Sequence, residues 1–215
     1  MIFKNRTEAG KQLAKSLTPI KDQDLVILGL PRGGVPVAYE VAKRMKKPLD
    51  VLIVRKLGVP WQPELAFGAI GEGEVLYLND SVIKDLAISK KDQEEVIAVQ
   101  RSEILKRQIR FRGEGGPLDI KEKVAVIVDD GIATGATAMA ACEVAARLGA
   151  SQVIIAAPVA TQESIAKLSE VTTANYILET PSDFYAVGQW YEDFSTVTDE
   201  EVISILDRYR REYGN

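Results

Sequence analysis

The sequence predicts an α/β fold, a parallel sheet of about five strands flanked by helices. Three observations predict it. Short apolar runs, most of them rich in β-branched residues, recur at residues 25–30, 49–54, 124–128, 153–157 and 175–178. Unbroken runs of that length suit strands covered on both faces, as in a parallel sheet. Segments with helical spacing lie between them, and two runs pass into such segments through turns of glycines, threonines and charged residues. At 215 residues, 46% of them hydrophobic, the chain suits one α/β domain with a small appendage.

The elements follow in order. Residues 5–17 read as an amphipathic helix with Asn5 and Glu8 spaced as a capping box and Ala9, Leu13, Ala14 and Leu17 on its apolar face. The first strand, 25–30, runs into Pro31-Arg32-Gly33-Gly34 and then a helix over 35–44. The next strand, 49–54, is expected to end in Arg55-Lys56. Residues 57–73 carry Gly58, Pro60, Pro63, Gly68, Gly71 and Gly73 with weak periodicity, and read as a long loop with Glu64 as a candidate carboxylate. A short strand at 75–78 is expected to close it. Ser89 caps the longest helical pattern, 89–111, where Val96, Val99, Ile104 and Ile109 recur at helical spacing. Its end is basic, with Arg101, Lys106, Arg107, Arg110 and Arg112; a helix C-terminus favours such cations, and a ligand role for them is the alternative. After 124–128 comes a helix over 138–148, then the strand at 153–157, a helix over 162–169 and the strand at 175–178. The segment 182–194 is dense in aromatics, and a last helix, 198–213, opens on Thr198 and Glu201 as a capping box.

Composition narrows the chemistry. The chain has no histidine, which removes Ser-His-Asp and Cys-His catalysis and His-ligated zinc. Cys142 is the one cysteine, so there is no internal disulfide and no cysteine cluster. A net charge of −4 argues against a general nucleic-acid binder. No apolar run approaches the ~20 residues of a membrane helix. Met1-Ile2-Phe3-Lys4 leads straight into a polar helix-like segment, so no secretory leader and a cytoplasmic setting are expected. What remains is carboxylates, Lys and Arg, backbone amides and a hard cation.

The densest signal is residues 123–137, K-V-A-V-I-V-D-D-G-I-A-T-G-A-T. A buried strand ends in two carboxylates, Asp129 and Asp130, expected to be partly exposed. A turn of small residues and hydroxyls then opens a helix. Helix N-terminal amides lack partners and carry positive dipole, and small residues let a phosphate approach. The carboxylates repel a phosphate and suit a diol or a metal. Phosphate beside diol describes a ribose 5-phosphate. Neither G-x-x-x-x-G-K-[ST] nor G-x-G-x-x-G occurs in the chain.

Val126-Ile127-Val128-Asp129-Asp130 with Thr134-Gly135-Ala136-Thr137 resembles the 5-phosphoribosyl-1-pyrophosphate (PRPP) loop of type I phosphoribosyltransferases. The resemblance covers about residues 24–178. It implies one such domain over 1–215, with a core at about 24–178 and a small hood from about 1–20 and 179–215. It implies displacement of pyrophosphate from PRPP by a nitrogen nucleophile. Ala133, Thr134, Gly135, Ala136 and Thr137 would hold the 5-phosphate. Arg32, Gly33, Gly34, Arg55 and Lys56 would hold the pyrophosphate, with a cis peptide before Arg32. Asp129 and Asp130 would hold the ribose hydroxyls and Mg²⁺, the latter through water; with Arg32, Arg55 and Lys56 they are the expected catalytic set. The loop at 57–73 would close over PRPP.

The implied partners are PRPP and a small acceptor, a nucleobase or amine, without nucleic acid or membrane; a homodimer stays open. Glu179-Thr180-Pro181-Ser182 follows the last strand, where relatives specific for 6-oxopurines open their base-binding segment with a lysine, so the acceptor is not legible. Phe184, Tyr185, Trp190 and Tyr191 are candidates to stack on a base or to fill the hood core. A non-catalytic PRPP- or nucleotide-binding regulator is the alternative function.

Overall fold

The computed structural model describes residues 2–113, 116–117 and 119–214, without the side chain of Glu64. The chain runs α1 (Arg6–Ser16), β1 (Leu25–Gly29), α2 (Gly34–Met45), β2 (Leu49–Val51), β3 (Val54–Val59), β4 (Gln62–Gly71), β5 (Leu76–Leu78), α3 (Asp80–Asp85), α4 (Lys90–Arg112), β6 (Val124–Val128), α5 (Ala136–Arg147), β7 (Gln152–Val159), α6 (Gln162–Leu168), β8 (Ala174–Glu179) and α7 (Asp199–Tyr213). Five strands form a parallel sheet in the order β2-β1-β6-β7-β8, and β3-β4-β5 form a second, antiparallel sheet.

The unbroken apolar runs divide between the two faces of the parallel sheet with the period of two that a strand imposes. Ile27, Val126, Val128, Ile154 and Ala156 join a core with α1, α2 and α7. Val26, Leu28, Ala125, Ile127, Val153, Ile155 and Ala157 join a second core with α5. β6 lies centrally, in register with β1 (Val128 beside Gly29) and with β7 (Val128 beside Ala156). The residues after β1 and after β6 therefore emerge side by side.

Two expectations need correction. The strand at 49–54 does not end in Arg55-Lys56. β2 stops at Val51, and Arg55 and Lys56 belong to β3 in the other sheet, paired with Ile70 and Ala69. A buried ionic network ends the strand. Arg112 at the end of α4 donates Nε to Asp50 Oδ2 at 2.9 Å and Nη2 to the Val51 carbonyl at 2.6 Å. It also pairs with Glu72, whose Oε1 accepts the Ile53 amide at 2.8 Å. Side chains thus take the backbone groups on either side of Leu52, and the chain turns away. Residues 57–73, expected to be a loop, form most of the β3–β4 hairpin, with irregular register around Gly58. Glu64, the candidate loop carboxylate, has its side chain outside the described part.

The basic end of α4 is also more than a favourable helix terminus. Arg112 is buried, and Ile104 and Phe111 carry the packing seam with it at i, i+7 and i+8. Val99 and Ile109, expected on the apolar face, are exposed. At the other end of the chain, Phe3 forms a parallel bridge with Tyr191, with amide–carbonyl bonds of 2.8 Å from Phe3 to Trp190 and from Glu192 to Phe3. That bridge brings the first turn of α1 to the strand ends, with Asn5 as its N-cap.

Candidate functional site

β6 delivers Asp129 and Asp130, and β1 delivers Pro31-Arg32-Gly33, with a cis bond between Pro31 and Arg32. The two turns touch. A β-carbon on Gly33 would lie 2.0 Å from Asp130 Oδ2, and one on Gly34 would lie 2.4 Å from the Val128 carbonyl. Only hydrogen fits at either position, which explains the paired glycines after Arg32. Asp129 Oδ1 accepts the Asp130 amide at 2.9 Å, which turns the chain sharply after the strand.

The loop that follows is pinned to β7 and its successor. The Ile132 amide donates to the Val159 carbonyl at 2.9 Å, and the Thr161 hydroxyl donates to the Ala133 carbonyl at 2.8 Å. Gly135 takes φ 77°, a left-handed conformation that glycine adopts without strain, and starts α5 with no side-chain cap. Ala133, Thr134 and Thr137 are exposed at this uncapped helix start. The arrangement leaves helix amides open to an anion.

A cleft of about 570 Å³ gathers these turns; its lining includes Arg32, Gly33, Arg55, Lys56, Asp130 and Thr137. The hairpin, though not an extension of the parallel sheet, carries Arg55 and Lys56 to the same cleft as Arg32. Gly34, Asp129, Ala133, Thr134, Gly135 and Ala136 are not part of its lining. Arg55 has its Nε buried and without a hydrogen-bond partner, and its guanidinium reaches Glu103 at only 3.8 Å.

Two arginines and one aromatic of the lining, Arg6, Arg107 and Phe194, were not assigned to the site from the sequence. Arg6, in the first turn of α1, donates Nε to Asp130 Oδ2 at 2.7 Å and Nη1 to the Ser195 carbonyl at 2.7 Å, and lies over the Phe194 ring at 3.9 Å. It also lines a second cavity of about 340 Å³. Asp130 is buried rather than partly exposed. Phe194 lines the cleft, whereas none of the four aromatics singled out in the sequence does. Tyr191 is buried with its hydroxyl donating to the Asp130 carbonyl at 2.6 Å, Trp190 stacks on Phe184, and Tyr185 points to solvent. Arg107 of α4 is the third. Nothing local in the sequence marks Arg6; for Phe194 the signal was the aromatic segment 182–194, and for Arg107 a basic helix end shared with four other cations.

The electrostatics are uneven. Burial, and then the charge of Asp130, push the Asp129 carboxyl well above its usual range. Burial also raises Asp130, opposed by the hydrogen bond and charge of Arg6. Burial, and then the like charge of Arg55, lower Arg107 from the ordinary guanidinium range, with Arg32 adding to the effect. The cleft thus gathers four cations, Arg32, Arg55, Lys56 and Arg107, beside the Arg6–Asp130 pair. Burial holds Cys142 far from reactivity, pushing its thiol up to about 12. Among the described residues no group of three His, Cys, Asp or Glu could cage a metal ion, and no helix is long and apolar enough to cross a membrane.

A sequence model described as the phosphoribosyl transferase domain matches residues 3–183. Over 213 residues, 99% of this chain, the sequence is 48% identical to two proteins of Mycobacterium tuberculosis, strains CDC 1551 / Oshkosh and ATCC 25618 / H37Rv, provisionally named as phosphoribosyl transferases. The chain spans about half, 48%, of the length of these relatives. The crystal structure of TT1426 from Thermus thermophilus superposes with a TM-score of 0.90 at 42% identity, covering 97% of this chain and 99% of that one.

Proposed function

The chain belongs to the phosphoribosyl transferase domain family, and from that premise we propose that it displaces pyrophosphate from C1 of PRPP with a nitrogen nucleophile. The observation that carries the proposal is the meeting, in one cleft of about 570 Å³, of Arg32, Arg55 and Lys56 with Asp130 and Thr137. The pieces match the parts of PRPP. Amides and hydroxyls of Ala133, Thr134, Gly135, Ala136 and Thr137 take the 5-phosphate. Asp129 and Asp130 accept hydrogen bonds from the ribose hydroxyls. Arg32, Arg55 and Lys56, with the Gly33 and Gly34 backbone, take the pyrophosphate and the charge that builds on it as it leaves. Catalysis is then positioning and electrostatics.

The donor set suits Mg²⁺ of a particular kind. Magnesium is commonly held by one or two carboxylates, water and substrate phosphates rather than by a protein cage. Asp129 and Asp130 meet that need, and the two raised carboxyls favour a cation beside them. When bound, the ion neutralises charge on the pyrophosphate. Phe194, Thr196 and Val197 are among the uncharged residues of the lining, and a nucleobase or small amine would enter beside them. A cytoplasmic setting belongs to the same proposal.

The test is a screen of nucleobases and small amines with PRPP and Mg²⁺, reading pyrophosphate release. Release with one acceptor class, abolished in Asp129→Asn/Asp130→Asn, is the expected result. Tight PRPP binding without release for any acceptor would replace the enzyme by a regulator that senses PRPP.

A further inference from the structure

Arg107 belongs to none of the motifs that point to the cleft, yet it lines the same cleft as Arg32, Arg55 and Lys56. We propose that Arg107 is a further pyrophosphate-binding residue, delivered from α4; the inference rests on the reading of the cleft as a PRPP site.

The neighbouring cations of α4 are already matched. Arg110 pairs with Asp199 at 2.9 Å and Glu200 at 2.7 Å, Lys106 with Glu103 at 2.8 Å, Arg101 with Glu74 at 3.7 Å, and Arg112 with Asp50 and Glu72. Among the described residues, Arg107 forms no ion pair. The charges that act on it are Arg55 and Arg32, also cations, with Asp199 and Glu103 as partial compensation. Asp199 is itself engaged by Arg110, and it reaches Arg32 only at 3.9 Å. Arg55 adds an Nε that is buried without a partner. Guanidinium groups gathered this way repel one another unless an anion lies between them. A diphosphate offers two phosphoryl groups, enough acceptors for several guanidinium forks.

The helix holds Arg107 there without the ligand. Arg112 fixes the end of α4 in the buried network, and Ile104 and Phe111 pack into the core one turn before and one turn after Arg107. Arg110 ties the same turn to the start of α7. Arg107 therefore cannot leave the wall by a shift of the helix alone.

Titration calorimetry with inorganic pyrophosphate and Mg²⁺ tests the inference on the whole chain. Arg107→Gln should weaken pyrophosphate binding about ten- to a hundredfold, the loss of one charge-assisted contact. Arg107→Lys should fall between that variant and wild type. Ribose 5-phosphate, which lacks the pyrophosphate, should bind both variants as it binds wild type. Arg101→Gln, one cation removed from the outer part of α4, should leave pyrophosphate affinity unchanged. Equal pyrophosphate affinity in Arg107→Gln and wild type would overturn the inference and leave the cleft reading standing. Equal weakening by Arg101→Gln would reduce the effect to overall charge and overturn it too. Wild-type protein that binds no pyrophosphate would overturn the cleft reading itself, and this inference with it.

Discussion

Asp129 and Asp130 are neighbours in sequence and differ in company. Asp130 has the Arg6 guanidinium at 2.7 Å, while Asp129 accepts the Asp130 amide and takes the repulsion of the Asp130 charge. Burial and that charge raise the Asp129 pKa in the folded chain. The folded state then holds a proton that the unfolded chain releases. Stability from this group is fully present below the unfolded carboxyl pKa near 4 and is lost as pH rises through the higher folded value. The loss amounts to about 1.4 kcal/mol for each unit separating the two. Asp129→Asn should therefore unfold at higher denaturant than wild type at neutral pH and converge with it near pH ~4. Parallel curves for the two proteins across that range would show that Asp129 carries no such strain. At the same scale the sequence was legible for some residues and mute for others. The acidic pair and the glycines after Arg32 are local patterns. The Arg6–Asp130 pair spans 124 positions, and no local rule connects them.

At the scale of elements, the parallel strands were legible because burial on both faces leaves an uninterrupted apolar run. The β3–β4 hairpin was not, because its glycines read as flexibility. The structure gives them a packing reason: a β-carbon on Gly71 would lie 2.3 Å from Val144 Cγ1, where β4 crosses α5. The network of Arg112, Asp50 and Glu72 was equally hidden, since each residue looks like ordinary surface charge alone. It joins three elements, with Arg112 at the end of α4, Asp50 in β2 and Glu72 after β4. Burial on its own would lower the Arg112 pKa, but hydrogen bonds and charge from Glu72 and Asp50 outweigh it and raise it. Removing one member strands the others. Arg112→Met should cost about 3–5 kcal/mol, because two carboxylates stay buried without their partner. Asp50→Leu/Glu72→Met/Arg112→Met should recover only part of that loss: the unpaired charges are gone, but the Val51 carbonyl and the Ile53 amide lose their side-chain partners. Urea unfolding reads both; a loss below about 1 kcal/mol in the single variant would mean that water reaches the network and shields it.

The molecule as a whole carries a net negative charge and gathers cations at one cleft. Its 31 acidic residues exceed its 27 Lys and Arg, yet one wall of the cleft gathers Arg32, Arg55, Lys56 and Arg107. Composition alone hides this, because the net charge of −4 averages over the contrast; only the topology, which brings β1, β3 and α4 to one place, creates it. A concave wall of one sign focuses the field and draws anions in. Such a field is screened by salt, with a Debye length of about 10 Å at 0.1 M and about 3 Å at 1 M. The ion pairs of the buried network are screened much less, because solvent does not separate them. Raising salt from about 0.05 M to about 0.5 M should therefore weaken pyrophosphate binding severalfold, mostly through slower association, and shift the urea midpoint little. Chloride suits the experiment better than sulfate, which would compete for the helix start at Thr134 and Thr137. If affinity holds constant over that range while stability changes, the cleft works by short hydrogen bonds alone, and the cationic wall has no role in capture.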